Sequence, residues 1–235
     1  MKWLYVLMFC FSYSFTHQFY SQLEQDKFAY ENYFFDTTEG FFVDIGAHNG
    51  KTLSNTLFFE QELGWHGICV EPIPEVFEQL RKNRSCICIN GCISDTTGIV
   101  DFTQVVCPSI YVEMLSGITE KYDPAHVQRI DAEIAQCHGS KKIIKVQSYL
   151  LADILDQYGI SHIDYLSLDT EGGELDILRT IPFDRITIDV IDVENNYHDP
   201  NIRRFLTTHG FKLVKSLEWD ELYARKDFLN TLKKK

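Results

Sequence analysis

The chain is organised around the stretch Phe41-Phe42-Val43-Asp44-Ile45-Gly46-Ala47-His48-Asn49-Gly50, in which an apolar run passes directly into a turn with two glycines. The aromatic and β-branched residues of this run favour a β-strand. The glycines let the chain turn sharply and let a ligand approach the backbone closely. Residues 52–60 follow, with Leu53, Leu57 and Phe58 at helical spacing. A strand, a glycine turn and a helix in this order are typical of the first unit of a Rossmann-like nucleotide site.

The residues of the turn indicate which nucleotide binds. A dinucleotide site has the pattern G-x-G-x-x-G, whereas this turn reads Asp44-x-Gly46-x-His48-x-Gly50. A carboxylate before the first glycine suits a positively charged cofactor, and S-adenosylmethionine carries both an ammonium and a sulfonium. The next apolar run ends on Glu71, where an acid would accept hydrogen bonds from ribose hydroxyls. A tight strand-to-helix connection without any ligand would explain the glycines alone, so the prediction depends on the pair Asp44 and Glu71.

Six segments, in collinear order, resemble the FkbM family of S-adenosylmethionine-dependent methyltransferases. They are Ser21-Gln22-x-x-Gln25-Asp26, Phe42 to Gly50, Ser54-Asn55-Thr56, Gly64-Trp65-x-Gly67-Ile68-Cys69-Val70-Glu71-Pro72, Asp164-x-Leu166-x-Leu168-Asp169-x-Glu171-Gly172 and Val193-Glu194. The resemblance covers about residues 20–226 and adds Ser54 to the cofactor-binding residues. It implies an α/β, Rossmann-like class I methyltransferase with a mostly parallel seven-stranded sheet and helices on both faces. The implied reaction is methyl transfer, usually to a hydroxyl of a sugar or other natural product.

Two later strand ends carry the candidate catalytic residues. The strand predicted over residues 163–168 ends on Asp169 and Glu171, which two glycines and a helix over 174–180 follow. The strand over 186–193 ends on Glu194, with His198 close behind it. Helix capping would explain one acid, but three acids at one edge of the sheet exceed that need. These four residues are therefore the candidates for removing a hydroxyl proton, and the three acids could instead hold a divalent metal. The sequence leaves both mechanisms open.

The strand predicted over residues 85–93 ends at Ser94 and Asp95, at the edge that holds Asp44 and Glu71. The pair would meet the adenine amine of the cofactor there. Asp95 also begins a good turn sequence of its own, so the structural interpretation is equally open.

Composition limits the function further. A chain of 235 residues with 45% hydrophobic content fits one α/β domain, predicted over residues 21–228 and followed by a basic tail over 229–235. The formal net charge of −12 argues against nucleic acid as the acceptor, because phosphate binding needs a basic surface. We therefore expect a small-molecule or glycan acceptor. A nicotinamide-dependent oxidoreductase and a non-catalytic, membrane-tethered binding domain are the two alternatives.

Residues 107–142 interrupt the alternation of strands and helices and are predicted to be an insertion that acts as a lid over the cofactor edge. They contain one helix of their own, capped by Asp123, begun by Pro124 and ended by Gly139. A second helix is predicted from a cap at Ser148 to a stop at Gly159. A packing element without substrate contact is the alternative for the insertion.

The sequence is compatible with two cellular locations, the cytoplasm and the secretory pathway or membrane. Residues 1–20 have a basic start and an apolar run, which is typical of a signal peptide, a short anchor with membrane contact, or an arm packed on the domain. Cys86, Cys88 and Cys92 share a parity on one predicted strand and are expected to be reduced core thiols, without a zinc pattern. Free thiols and a cytosolic methyl donor favour the cytoplasm.

Overall fold

The computed structural model describes residues 17–233, so most of the predicted signal-like segment and the last two lysines lie outside the described residues. The strands are β1 Phe41–Ile45, β2 His66–Glu71, β3 Ile87–Asn90, β4 Cys92–Ile93, β5 Gly98–Val106, β6 Gly117–Ile118, β7 Ser140–Tyr149, β8 His162–Leu168, β9 Thr187–Glu194, β10 Phe211–Leu217 and β11 Asp220–Arg225. The α-helices are α1 Gln25–Ala29, α2 Leu57–Leu63, α3 Pro74–Asn83, α4 Ile110–Glu113, α5 Pro124–Cys137, α6 Leu151–Tyr158, α7 Glu174–Thr180, α8 Pro200–Thr208 and α9 Lys226–Leu232. A π-helical turn over Tyr30–Phe34 extends α1, and a 3₁₀ turn covers Thr119–Lys121.

Seven strands form the main sheet, in the order β10-β11-β9-β8-β1-β2-β3. All neighbours from β9 to β3 are parallel, and only the pairs that involve β11 are antiparallel. This confirms the predicted mostly parallel, seven-stranded sheet. Parallel neighbours end at the same edge of a sheet, so the carboxyl ends of β1, β2, β8 and β9 meet there.

The sheet is covered on both faces. Alternate residues of β1 point to opposite sides: Val43 and Ile45 join a core with side chains of α6, α7 and α8, whereas Phe42 joins an aromatic core beneath α1 and α2. The aromatic core also takes Phe228 of α9. The resulting three layers leave the strand ends free to form a site.

The chain between β3 and α6 builds a second sheet with the order β4-β7-β5-β6. The break falls at Gly91, where a Cβ atom would lie 2.6 Å from the backbone oxygen of Gln147, so that a side chain would prevent the approach of β4 to β7. The single strand predicted over residues 85–93 is therefore wrong. Cys86 and Cys88 pack in the aromatic core, whereas Cys92 packs in a separate cluster of the second sheet.

Helix starts also differ from the predictions. The helix expected over residues 52–60 begins only at Leu57, because Leu53 has a φ of +57°, which no α-helix accommodates. Ser148 does not cap α6: it lies in β7 and donates its hydroxyl to the backbone oxygen of Thr96. The predicted helix after Pro124 is confirmed, and Asp123 accepts a hydrogen bond from the backbone N–H of Ala125.

Both ends of the described chain pack on the domain. The ring of Phe19 lies 4.6 Å from that of Phe58, and the backbone N–H of Tyr20 donates to Asp26. Helix α9 runs across the domain boundary predicted at residue 228, and Leu229 packs on the aromatic core. Ordered packing thus extends beyond residues 21–228 at both ends.

Cys107 and Cys137 form a disulfide between the end of β5 and the end of α5, a pairing that the sequence did not predict. Cys69, Cys86, Cys88 and Cys92 are free thiols, as expected for the last three. Within residues 17–233, no helix has the length and apolar character needed to cross a bilayer.

Candidate active site

The turn after β1 touches the end of β8 at Gly46. The backbone there has a φ of +90°, and a Cβ atom would lie 1.8 Å from the backbone oxygen of Asp169. Only glycine fits this contact, because a side chain would force the two strand ends apart. The two predicted ligand loops are thereby held against each other at one edge of the sheet.

His48 belongs to the same turn and lines the cleft above it. Its φ of +48° is uncommon for a residue with a side chain. Both ring nitrogens are buried without a hydrogen-bond partner, and Oε2 of Glu113 lies 3.8 Å from Nε2. Burial lowers the pKa of His48 to about 4, so the ring is neutral at physiological pH. The side chain therefore shapes the turn and offers a neutral polar edge to the cleft.

Asp44 lies almost fully buried under the cleft. It accepts a 2.6 Å hydrogen bond from the hydroxyl of Thr56 and lies 3.9 Å from the guanidinium of Arg84, which also pairs with Glu60. Burial raises the pKa of Asp44, and Arg84 and the Thr56 hydroxyl oppose that rise. Ser54 accepts a hydrogen bond from the backbone N–H of Thr56 just before α2. Both predicted residues line the cleft, and both also hold the loop in place.

Glu71 ends β2 and lines the cleft together with apolar side chains of the second sheet. Its Oε1 accepts a 2.7 Å hydrogen bond from the backbone N–H of Ile73. Burial raises the pKa of Glu71 to about 8. The carboxyl group is consequently poised to give up its proton when hydrogen-bond donors enter the cleft.

Three carboxyl groups meet where β8 and β9 end. Asp169, Glu171 and Glu194 each present an oxygen within 4.8 Å of the others, and all three line the cleft. Asp220, at the start of β11, lines it as well and accepts a hydrogen bond from the amide of Gln25. The structure thus brings together the three acids that the sequence predicted and adds a fourth.

The crowding of these acids changes their ionisation. Burial and then Asp220 raise the pKa of Asp169 to about 7, although solvent in the cleft reaches its side chain. Burial and then Asp169 raise the pKa of Glu171 and of Glu194. Like charges at this separation disfavour simultaneous ionisation. The cluster therefore favours a cation or a shared proton.

Helix α5 of the insertion reaches this cluster through His126, which is fully buried. Its Nδ1 lies 3.5 Å from Oε2 of Glu171 and 3.1 Å from the hydroxyl of Tyr197, and its Nε2 lies 3.1 Å from the backbone oxygen of Leu115. A carbonyl can only accept, so Nε2 carries a proton, and in the neutral ring Nδ1 accepts from Tyr197. Asn196 donates to Oε2 of Glu171 at 3.0 Å. Glu171 is thus held by a hydrogen bond from Asn196 and lies against the buried ring of His126.

Four predicted site residues do not line the cleft. A Cβ at Gly50 would lie 2.4 Å from the Leu80 side chain, so this glycine serves packing. Ser94 and Asp95 are turned away because the chain leaves the main sheet at Gly91, and Asp95 pairs instead with Lys121 at 3.0 Å. His198 is exposed on the loop after β9 and borders neither the acids nor the cleft. The histidine beside the acids is His126.

The cleft has a volume of about 290 Å³ and combines an acidic end with apolar walls. The walls come partly from the second sheet, at Cys92, Phe102 and Ile118. Sequence analysis missed these residues, together with His126, Tyr111 and Arg129 of the insertion, because none of them follows a strand of the main sheet. An apolar wall, a buried carboxyl at Glu71 and an excess of negative charge fit a cofactor with an aromatic base, a ribose and a positive centre.

Two groups of side chains among the described residues have metal-ligand spacing. One is the acidic cluster of Asp169, Glu171 and Glu194. The other comprises His162, Asp164 and Asp189 at the amino edge of the sheet, where Asp189 already pairs with Arg225 at 2.8 Å. Because Asp189 already has an arginine as its ion-pair partner, a metal ion is disfavoured at the second group.

Fold and site together define a Rossmann-like, class I methyltransferase. The model of the methyltransferase FkbM domain matches residues 44–213. The chain therefore belongs to the FkbM methyltransferase family, whose methyl donor is S-adenosylmethionine. In a comparison with curated proteins, none was significantly similar to the chain.

Solved structures that are similar to the chain are distant in sequence. The methyltransferase FkbM from Methylobacillus flagellatus is 15% identical, with a TM-score of 0.44, over 83% of this chain and 47% of its own. The METTL16 methyltransferase domain is 13% identical, with a TM-score of 0.44, over 87% of this chain and 66% of its own. Precorrin-6y C5,15-methyltransferase from Geobacter metallireducens is 11% identical, with a TM-score of 0.41, over 80% of this chain and 82% of its own. The chain spans less than half the length of the first.

Proposed function

We propose that this protein transfers a methyl group from S-adenosylmethionine to a hydroxyl of a sugar or another small molecule. The observation that carries the proposal is the cluster of Asp169, Glu171 and Glu194, which lies in the same cleft as the glycine turn after β1. Methylation of a hydroxyl needs a group that removes its proton, and a carboxylate can do so. The net charge of −12 favours a small-molecule or glycan acceptor over nucleic acid.

The cofactor would be held by residues from three strand ends of the main sheet and by the second sheet. Glu71 would accept hydrogen bonds from the ribose hydroxyls, and the apolar walls at Ile73, Phe102 and Ile118 would flank the adenine. Asp44 and Asp169 supply negative charge for the ammonium and the sulfonium. When bound, S-adenosylmethionine supplies an electrophilic methyl group. The protein excludes water from this group and orients the acceptor.

Glu171 is the best candidate for the proton acceptor. Burial and then Asp169 raise its pKa, which makes the carboxylate more basic than an exposed glutamate. Asn196 donates a hydrogen bond to it, and the buried ring of His126 lies beside it. Asp169 and Glu194 would keep the local charge negative, so that the proton stays on Glu171 after it leaves the hydroxyl. Proton transfer to this residue needs its ionised form, and activity should therefore rise with pH.

A divalent metal in the acidic cluster is a second route to the same result. Three carboxylate oxygens within 4.8 Å of one another fit a hard cation such as Mg²⁺. A metal there would lower the pKa of the bound hydroxyl, and the three acids would then act as ligands. Removal of divalent ions with EDTA and their replacement separates the two routes: a direct base survives chelation, whereas a metal site does not.

Substitution of Glu171 tests the assignment. Glu171→Gln keeps the shape but removes the basic oxygen, so turnover on a proven acceptor should fall by roughly 10²- to 10⁴-fold while cofactor affinity changes little. Glu120→Gln is a matched control, because Glu120 is exposed and does not line the cleft. Near-normal turnover of Glu171→Gln would reject this residue as base and as metal ligand, and would leave Asp169 and Glu194 as the candidates beside the cleft.

A further inference from the structure

Arg129, on helix α5 of the insertion, is the only arginine or lysine that lines the cleft among the described residues. It makes no hydrogen bond or ion pair with any described residue, although acidic side chains surround the same cleft. Its charge acts on Glu171, where it opposes the larger effects of burial and Asp169. A guanidinium that is always charged and has no protein partner keeps its donors available for a ligand.

Tyr111, on helix α4, lines the same cleft as Arg129. It is 60% exposed, which is high for an aromatic ring that borders a cavity. Val112, its neighbour in the chain, packs in one apolar cluster with Ile130, the neighbour of Arg129. The two helices are thus held side by side: α4 presents Tyr111 and Glu113 to the cleft, and α5 presents Arg129. An exposed aromatic ring offers an apolar face against which the C–H face of a sugar can pack.

We propose that the methyl acceptor is a sugar that carries an anionic group, with Arg129 binding the anion and Tyr111 packing on the ring. This inference rests on the proposed function, since Glu171 would receive the proton of the methylated hydroxyl. Without Arg129, the acids of the cleft would repel an anionic acceptor. Arginine binds carboxylate and phosphate with the same paired donors, so both a uronic acid and a sugar phosphate satisfy this chemistry.

The test measures binding of three sugars to the full chain saturated with S-adenosylhomocysteine: methyl β-glucuronide, glucose 6-phosphate and methyl β-glucoside. We expect at least one anionic sugar to bind about tenfold or more tightly than the neutral glucoside. In Arg129→Gln this preference should disappear, and in Arg129→Lys, which keeps the charge but loses the paired donors, it should shrink. The stronger of the two anionic sugars identifies the group. Arg81→Gln is the control, because Arg81 is exposed on α3 and outside the cleft.

Two results would overturn the inference: equal or better binding of the neutral glucoside, or an anion preference that survives in Arg129→Gln. Absence of binding by all three sugars would overturn it too. Each of these leaves the proposed function intact if S-adenosylhomocysteine still binds. Failure of S-adenosylhomocysteine itself to bind folded wild-type protein would instead reject the proposed function.

Discussion

A buried carboxyl group such as Glu71 holds or releases its proton according to what occupies the cleft. Its pKa of about 8 reflects burial above all, with the backbone N–H of Ile73 acting in the opposite direction. Hydroxyl donors from a ribose would favour the charged form. Cofactor binding and deprotonation of Glu71 should therefore be linked.

We predict that the affinity for S-adenosylhomocysteine increases as the pH rises from 6 towards 8, by as much as about tenfold per pH unit, and levels off above 8. The sign follows because the free protein carries the proton on Glu71 below pH 8, and that proton must leave before binding. Calorimetry at several pH values measures the effect. Glu71→Gln should bind more weakly and lose this dependence, and an unchanged slope in that variant would assign the proton to another group.

Single residues at strand ends could be predicted because their positions depend on local sequence. Asp44, Glu71 and Asp169 each follow a recognisable apolar run, and the parallel sheet brings them together. The same reasoning placed Ser94 and Asp95 at the cleft, but they do not line it, because the chain enters another sheet at Gly91. His126 could not be found, since its contact with Glu171 joins residues that are far apart in sequence.

Helix α5 shows how an inserted element can act on the site. Its apolar side packs at Ile130, and its buried polar side chain at His126 faces Glu171. The sequence predicted the helix from Asp123 and Pro124 but could not predict which side would meet the acids. That the insertion acts as a lid thus remains a prediction. The structure adds the contact between His126 and Glu171.

His126→Phe keeps a ring but removes the hydrogen bonds to Leu115 and Tyr197. We expect kcat to fall about tenfold or more with KM and cofactor affinity little changed, because Leu115 and Tyr197 no longer hold the ring in place beside Glu171. Stability should decrease by about 1–3 kcal/mol, the usual cost of unsatisfied buried partners. The pH profile is the deciding readout: it should shift if His126 acts through Glu171 and stay in place if the histidine is only structural. Val127→Ala, at an exposed position of the same helix, is the control.

The disulfide between Cys107 and Cys137 closes a loop that contains α4, β6 and most of α5. Peptide mapping without reductant should recover the two cysteines in one linked fragment. The double variant Cys107→Ser and Cys137→Ser should lose about 2–4 kcal/mol of unfolding free energy, according to the entropy of a 30-residue loop. Two separately alkylated cysteines in the native protein would contradict the pairing. A disulfide is typical of an oxidising compartment, whereas the localisation expected from the sequence is cytoplasmic.

At the scale of the whole molecule, the order of the strands in the main sheet determines where the site forms. The central strands β1 and β8 end side by side, and β2 and β9 flank them, so four loops converge on one cleft. The residues themselves predicted the first strand, glycine turn and helix, and the resemblance to the FkbM family implied the mostly parallel seven-stranded sheet. The second sheet could not be predicted, because its strands β5 and β7 pair over a long separation with no tight turn to mark them. It nevertheless supplies part of the apolar wall beside Glu71.

The acidic excess of the molecule is concentrated where a cationic cofactor would bind. Among the described residues that line the cleft, Asp44, Glu71, Glu113, Asp169, Glu171, Glu194 and Asp220 are acids. Burial raises the pKa values of Glu71, Asp169 and Asp220, and neighbouring acids add to the rise at Glu71 and Asp169. A bound cofactor with positive charge would lower the cost of ionising these groups.

Calorimetric titration of the full chain with S-adenosylhomocysteine, at pH 8, tests this account most directly. We predict one site per chain with a dissociation constant of about 1–100 µM, which corresponds to roughly 5–8 kcal/mol. Asp44→Asn, which can still accept from Thr56, should bind at least about tenfold more weakly while the protein stays folded. Absence of binding to folded wild-type protein, or equal affinity in Asp44→Asn, would contradict the placement of the cofactor at this cleft.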